Sequence, residues 1–421
     1  MREARTRIAA ALVLVVVLAA FIFGSRRINN QIDGIVQVYV VSALINHHTL
    51  YLDQFPWVQD GRGARFVNGH WVSKYGIGVP ILSAPVFLGA QGLRDPIESW
   101  GSLRRRSRLA AGLVVLAVAI LAYVIALDTG AAPWAASALA ATTVLGTTLW
   151  SSASQDLWQH GFVALFLLII VLLGREGSRL PEGLRAWGIG ACLGLVLLCR
   201  PIAMIPAILV AVSIVVRLRT RLPVLLGLMP FVLFQWWYAS SHLEGVFSSG
   251  YGEEASEFTT PLLTGLRGSL LSPSRGLFVY SPFLLLAPIA VGYASRICKH
   301  RVRQILWLSA AVLINTLLMS KWHAWAGGWS YGPRLMSETA LLLSLILILT
   351  YSGWSRSRPF VACLVLLSVL SAGIHSLHVF WPNDEWNQAH SPDLEGAAFD
   401  WRQSQILTHL RVAFQPVGTT K

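Results

Sequence analysis

The chain has 421 residues, of which 55% are hydrophobic and only 13% charged, with a net charge of +13. A soluble protein of this length has too little interior to hide so much apolar side chain, whereas a bilayer puts lipid where water would be. A net positive charge suits a nucleic-acid partner, but that reading is set aside because the arginines come in short clusters between apolar runs, as loops of a membrane protein do.

A bilayer-crossing helix needs about 20 mostly apolar residues. Runs that meet or approach this length begin near Ile8, Leu109, Ala131, Leu157, Ala186, Ile202, Leu222, Leu277, Gln304, Leu335 and Phe360. They predict an all-α polytopic membrane protein with about eleven transmembrane helices. The membrane domain covers residues 1–380, and a short tail follows over 381–421. The first run starts basic and reaches small residues at Gly24-Ser25, as a secretory signal would. Its apolar stretch is longer than the roughly 7–15 residues of such a signal, and two arginines follow Ser25, so it reads as a span. Residues 25–108 form a long first extracytoplasmic loop. Within it, Gly78 to Leu93 is apolar but short and carries two prolines, which suits an interfacial or re-entrant helix. The runs near Ala186 and Ile202 flank Arg200-Pro201 and read equally as two helices or as one long broken helix.

Orientation follows from arginine and lysine. With the N-terminus (Arg2, Arg5, Arg7) in the cytoplasm, alternation puts Arg175, Arg179, Arg185, Arg217, Arg219, Arg221, Arg296, Lys299, Arg301, Arg303, Arg356 and Arg358 on that side, together with most of the net +13. One cluster disagrees. Leu103–Arg108, with Arg104, Arg105, Arg106 and Arg108, falls outside: either it binds anionic headgroups there, or the span count slips by one in the first third. The four cysteines (Cys192, Cys199, Cys298, Cys363) have no metal-ligand spacing and read as inert thiols.

The polar residues of the outer side are the candidates for chemistry. Asp33 stands just past the first span, where a carboxylate is costly unless paired or functional. It suits a general base for an acceptor hydroxyl, or simply the cap of the helix that follows. Lys74 and Tyr75 precede a Gly/Pro-rich turn, where a cation beside helix-start amides suits a phosphate and a snorkelling lysine is the plainer alternative. Asp156 and His160 lie one helical turn apart and can share a face. Arg200 interrupts an apolar run, which marks it as a site candidate. Ser272, Ser274 and Arg275 form a small polar turn that suits an anion. The string from Lys321 to Arg334 packs His323, Trp325, Gly327, Gly328, Trp329, Tyr331 and Arg334 into one short loop. Tryptophan faces suit sugar rings and arginine suits phosphate; an aromatic belt accounts for the tryptophans but not for the glycines.

These stretches resemble the GT-C superfamily of membrane glycosyltransferases, in the broad group of protein O-mannosyltransferases and lipid A aminoarabinose transferases. The resemblance is carried by Asp33, by SKYGIGVPILSAP (73–85), by SPSRGLFVYSPFLLLAP (272–288) and by WAGGWSYGPR (325–334), with QDLWQHG (155–161) as a further position. It implies a GT-C-like bundle and transfer of a hexosyl or pentosyl unit from a polyprenyl-phosphate sugar donor. The acceptor would be a lipid, glycan or protein at the extracytoplasmic face of a bacterial cell membrane, with inversion at the anomeric carbon. By this resemblance Asp33 acts as base. Lys74 lies where the aminoarabinose transferases have a phosphate-contacting lysine; the residues themselves, not a family assignment, add Tyr75, Arg275 and Arg334 to the expected donor-phosphate contacts and put Asp156, His160, Arg200, Ser272, His323, Trp325, Trp329 and Tyr331 in the expected sugar and acceptor pocket. No cofactor is called for; a divalent metal is possible but not indicated. Many relatives carry an acidic pair where this chain has Asp33-Gly34, a departure that bears on acceptor binding. Two other readings are a transporter or flippase of lipid-linked saccharides and a non-catalytic GT-C-like scaffold.

Overall fold

A computed structural model describes residues 2–24, 32–59, 61, 63–90, 93, 96, 100–175, 177–219, 221–245, 248–293 and 299–414. In chain order the elements are α1 (Arg2–Phe23), α2 (Ile32–Asn46), β1 (Ala64–Val67), β2 (His70–Ser73), α3 (Gly78–Phe87), α4 (Trp100–Asp128), α5 (Pro133–Leu145), α6 (Gln159–Leu173), α7 (Glu182–Cys199), α8 (Met204–Val215), α9 (Leu222–His242) and α10 (Leu262–Leu271). They continue with α11 (Leu277–Tyr280), α12 (Leu286–Val291), α13 (Lys299–Lys321), α14 (Ser337–Leu349), α15 (Tyr351–Trp354), α16 (Arg358–Phe380), α17 (Glu385–His390), α18 (Leu394–Ala397) and α19 (Gln405–Phe414).

The described residues are mostly helical, and their only strands form one two-stranded ribbon. Six of the described helices are long and apolar enough to cross a membrane: α1, α4, α7, α9, α13 and α16. Their exposed faces are themselves apolar, as with Ile8, Leu12 and Val16 on α1, Leu225, Leu226 and Leu233 on α9, and Val365, Leu366 and Val369 on α16. Water does not tolerate such continuous stripes and lipid does, so the protein is membrane-embedded.

The expected eleven spans therefore reduce to six full-length ones among the described residues. At the other five positions the helix is short or broken: α5, α6, α8 and α14 have 13, 15, 12 and 13 residues, and the run near Leu277 is divided into α11, a 3-10 turn and α12. The Gly78–Leu93 segment forms the ten-residue α3, about half a bilayer span. At Arg200-Pro201 the chain does break. Arg200 is extended, Pro201–Ala203 make a 3-10 turn, and α7 and α8 are separate helices.

The all-helical expectation missed the ribbon. β1 and β2 pair antiparallel, Val67 opposite His70. Asn68 and Gly69 turn between them, both with positive φ (51° and 88°), as a two-residue hairpin turn requires.

The chain divides into two compact units. Unit 1 comprises Met1–Asn29, Val118–Ser152 and Phe258–Lys421; unit 2 comprises Asn30–Ala117 and Ala153–Glu257. In unit 2, α7 packs along α9 at close range. A Cβ on Gly190 would stand 1.9 Å from the Val224 carbonyl oxygen, and one on Gly227 would stand 2.0 Å from that of Trp187. Small residues that let backbones meet are how helices associate in lipid, where burying apolar area brings no advantage. The core of unit 2 joins Val36, Tyr39, Val40 and Ala43 of α2 to Leu52, Phe55, Val72, Leu198 and Tyr238. In unit 1, α14 is buried along its whole length. The described part of the expected 381–421 tail packs into this unit, with Trp386 and Leu394 against Trp325.

Candidate functional site

The candidate residues fall into two groups, one in each unit. Asp33, Lys74, Tyr75, Asp156, His160 and Arg200 belong to unit 2; Ser272, Arg275, His323, Trp325, Trp329, Tyr331 and Arg334 belong to unit 1.

In unit 2 the group is built around α2. Asp33 is the second residue of this helix, inside the first turn where the dipole favours negative charge and not at the N-cap position of the capping reading. Its Oδ1 also accepts a 2.6 Å hydrogen bond from the Tyr75 hydroxyl. The ribbon puts Tyr75 there. Lys74 N–H donates to the Gly63 carbonyl at 3.0 Å, closing the ribbon, and Tyr75 N–H donates to Ser73 Oγ at 3.0 Å. Gly76 then lies against the end of α7, where a Cβ would come within 2.4 Å of the Leu198 and Cys199 carbonyl oxygens. Lys74 Nζ is 3.0 Å from Glu254 Oε2, and Tyr251 meets Tyr75 edge-on at 6.1 Å.

Gly34 receives a second carboxylate. A Cβ at this position would stand 2.0 Å from Asp156 Oδ2 and 2.3 Å from its Oδ1, so only glycine lets the Asp156 carboxylate lie against α2. Asp156 is 5% exposed. Its Oδ1 accepts from Ser107 Oγ on α4 and, at 2.8 Å, from the Leu157 N–H. Burial pushes its carboxyl up from 3.8 to about 6; the two hydrogen bonds and the Arg104 guanidinium pull it down, and the Asp33 charge adds to the rise. Asp33 and Asp156, 123 positions apart in sequence, thus form an acidic pair in space. His160, at the start of α6, stands 3.3 Å through Nδ1 from an Arg200 Nη. The expected Asp156–His160 face is therefore split between different partners.

The Arg104–Arg108 cluster turns partly inward. Arg104 faces Asp156, Arg106 donates to the Val86 carbonyl at 2.9 Å, Arg108 is buried, and Arg105 is exposed. Sequence reasoning missed Ser107 and Arg104 as partners of Asp156. The basic cluster was visible, but a serine within it carries no signal of its own.

In unit 1 Arg275 is 2% exposed and almost wholly engaged by the protein. It donates to the carbonyls of Ser330 (2.8 Å), Gly328 (3.1 Å) and Ser274 (3.3 Å), to Asn387 Oδ1 (2.8 Å) and to Gln405 Oε1, and it lies 4.8 Å over the Trp386 ring. A guanidinium so occupied ties three loops together and has little left for a phosphate. Ser272 Oγ accepts from Arg275 N–H at 3.1 Å. Tyr331 is buried, donates to the Ile374 carbonyl at 2.8 Å and stacks on His378 at 4.8 Å. Burial raises its phenol well above 10 and lowers the neighbouring His409 to about 4, so both stay neutral at physiological pH. Trp325 is core. His323 is half-buried and meets Trp322 at 4.8 Å. Trp329 is exposed, and Arg334 donates to the Gly327 carbonyl at 2.8 Å.

Cys192 and Cys199 are buried and Cys363 exposed, all three as free thiols; Cys298 lies outside the described residues, as do Ser25 and Arg296. Among the described residues no three His, Cys, Asp or Glu side chains are grouped to hold a metal ion. Compared with known protein families, characterised proteins and solved structures, the chain matches none.

Proposed function

We propose that the chain is a membrane glycosyltransferase of the GT-C kind, moving a sugar from a polyprenyl-phosphate donor to a lipid, glycan or protein acceptor at the extracytoplasmic face. The observation that carries this reading is the acidic pair of unit 2, Asp33 beside Asp156, made possible by Gly34. The argument for a non-catalytic scaffold drew on Gly34 standing where relatives carry an acid. An acid from the α5–α6 connection occupying that space weakens it.

In this reading the acceptor oxygen attacks the anomeric carbon from the face opposite the phosphate. The bond from that carbon to the phosphate oxygen breaks, the acceptor proton passes to Asp33, and polyprenyl phosphate leaves. The helix N-terminus and the Tyr75 hydroxyl orient Asp33. Asp156, titrating near 6, can hold or release a proton close to working pH, so two carboxylates in unlike environments can take unlike roles. Lys74 takes the donor phosphate, whose leaving oxygen gains charge in the transition state. It exchanges Glu254 for that phosphate.

The test is transfer from a labelled polyprenyl-phosphate sugar in proteoliposomes, with wild type, Asp33→Asn and Asp156→Asn. Loss of a general base lowers the rate by about 10²–10⁴-fold. Full activity in Asp33→Asn removes Asp33 from the role. Movement of the lipid-linked sugar across the bilayer without transfer favours the flippase reading instead.

A further inference from the structure

The β1–β2 ribbon turns an aromatic pair outward. Phe66 and Trp71 stand directly opposite each other across the two strands, their rings 5.5 Å apart. Val67 and Val72 join the core of unit 2, and Trp71 leans on that core, but Phe66 stays 61% exposed. One exposed ring is ordinary on a protein surface, so its meaning depends on where the ribbon is held.

Three ties hold it at the end of α9. Asn68 Nδ2 donates to the Leu243 carbonyl at 3.1 Å, and Arg65 pairs with Glu244 at 2.6 Å. Tyr51, stacked on His70 at 4.1 Å, donates its hydroxyl to the Ser241 carbonyl at 3.1 Å. The 21 residues of α9 span about 31 Å at 1.5 Å per residue, against a hydrocarbon core of about 30 Å. Its exposed face runs from Leu222 to Trp236 and Trp237, which are 54% and 46% exposed where an interfacial tryptophan belt belongs. The end of α9 therefore marks the hydrocarbon boundary, and the ribbon sits at headgroup level.

The rings connect the two. From Trp237 the contacts run to His242 at 5.4 Å, to Tyr51 at 4.6 Å and to His70 at 4.1 Å, and Trp71 and Phe66 follow on the ribbon. An unbroken aromatic band thus leads from the lipid-facing side of α9 to Phe66. A protein partner fits this surface poorly. Two rings of about 150–250 Å² each offer at most about 500 Å², half of the about 1,000 Å² that a specific interface needs. We infer that the Phe66–Trp71 pair is an interfacial anchor, seated among the headgroups and upper acyl chains of the bilayer and continuous with the lipid-facing side of α9. The inference does not depend on the glycosyltransferase reading. It gives the ribbon a consequence for the site: Lys74 and Tyr75 follow β2 directly, about 10 Å along the chain from Trp71, so they are held at the depth of lipid phosphates.

The experiment places a fluorophore on Phe66→Cys in a Cys298→Ser, Cys363→Ser background, with the full chain in lipid nanodiscs. The quenchers are aqueous iodide and phospholipids carrying a nitroxide on the headgroup, high on the acyl chain or at the chain end. A ring seated about 5–10 Å into the interface is quenched at least about twofold more by the headgroup and upper-chain nitroxides than by the chain-end one, and at least about twofold less by iodide than the free fluorophore. Iodide quenching equal to that of the free fluorophore overturns the inference, because the pair then stands in water. Protection from iodide without quenching by any lipid also overturns it, because protein then covers the pair. Since the label removes the phenyl ring, p-benzoylphenylalanine in place of Phe66 supplies a second reading that keeps one. Photolysis is expected to attach phospholipid to the chain; an adduct with a second copy of the chain, and none with lipid, overturns the inference.

Discussion

Replacing Gly34 by alanine tests the acidic pair directly. The added methyl cannot coexist with the Asp156 carboxylate, which would lie 2.0–2.3 Å from it. The backbone of α2 is fixed by the core of unit 2, so the carboxylate must swing away. To do so it gives up the hydrogen bonds from Ser107 and Leu157. Hydrogen bonds to a charged group are worth about 1.5–3 kcal/mol each, which puts the loss at roughly 3–6 kcal/mol. Against that, alanine gains about 1 kcal/mol over glycine within a helix. The net expectation is destabilisation by roughly 2–5 kcal/mol.

The double mutant makes this decisive. In the Asp156→Ala background there is no carboxylate to displace, so Gly34→Ala keeps only its helix gain and becomes neutral or stabilising by up to about 1 kcal/mol. The sign of one substitution thus reverses with the state of a residue 122 positions away. Thermal unfolding of the four proteins in detergent measures the cycle. Additive effects of the two substitutions, with no coupling between them, would refute the contact and with it the acidic pair. In the transfer assay Gly34→Ala should also lose about a hundredfold in rate, the usual penalty for misplacing a reacting group by about 1 Å.

Other expectations follow from the same geometry. The rise of Asp156 from 3.8 to about 6 means that the folded state holds this proton more tightly than the unfolded chain. Stability is therefore lost as pH climbs from about 4 to about 6, by about 3 kcal/mol, and Asp156→Asn lacks that loss; unfolding temperatures at pH 4.5 and 7.5 should diverge by a few degrees between the two, and parallel curves would contradict it. Glu254→Gln frees the Lys74 ammonium and should lower KM for the donor about two- to fivefold, the scale of a partly exposed ion pair; an unchanged KM argues that Lys74 does not hold phosphate. Arg275→Met removes a buried cation from five protein acceptors and should cost about 3–5 kcal/mol in unfolding, with donor KM unchanged at temperatures where the variant is folded; a raised KM would return Arg275 to the donor site.

What the sequence makes legible here depends on whether the signal is local. Apolar runs are local, so a helix lies at each of the expected positions. Their lengths as continuous helices are not local. Leu277 onward is apolar enough to span, yet Pro282 and the turn at Ser281 divide it, because a proline removes a backbone donor and the break is settled by what packs around it. The ribbon was readable in principle. Asn68-Gly69 between Ala64–Val67 and His70–Ser73 is a strong short hairpin signal, which the surrounding membrane pattern masked. Asp33, Lys74 and Tyr75 were visible as polar residues beside a span, but the bond from Tyr75 to Asp33 depends on how the ribbon docks at the end of α7.

The glycine after Asp33 carries the sharpest lesson. Along the sequence it reads as a lost acid, because the reader compares neighbours in the chain. In space it is an opening of the size a carboxylate needs, and the acid that enters comes from the far side of α4 and α5 in the sequence. A glycine and a distant aspartate can thus do what two adjacent acids do, with one consequence that adjacent acids lack. Asp156 is held by α4 through Ser107 and not by the helix that carries Asp33, so the separation of the two carboxylates depends on where α4 places Ser107. Substitutions on α4 that shift its first turns should alter the pH dependence of transfer without touching either acid. Ser107→Ala is the mildest of them: it removes one hydrogen bond that pulls the Asp156 carboxyl down, so the acidic limb of the rate profile moves to higher pH. A profile that stays in place would mean that Asp156 takes no part in the proton balance of the reaction.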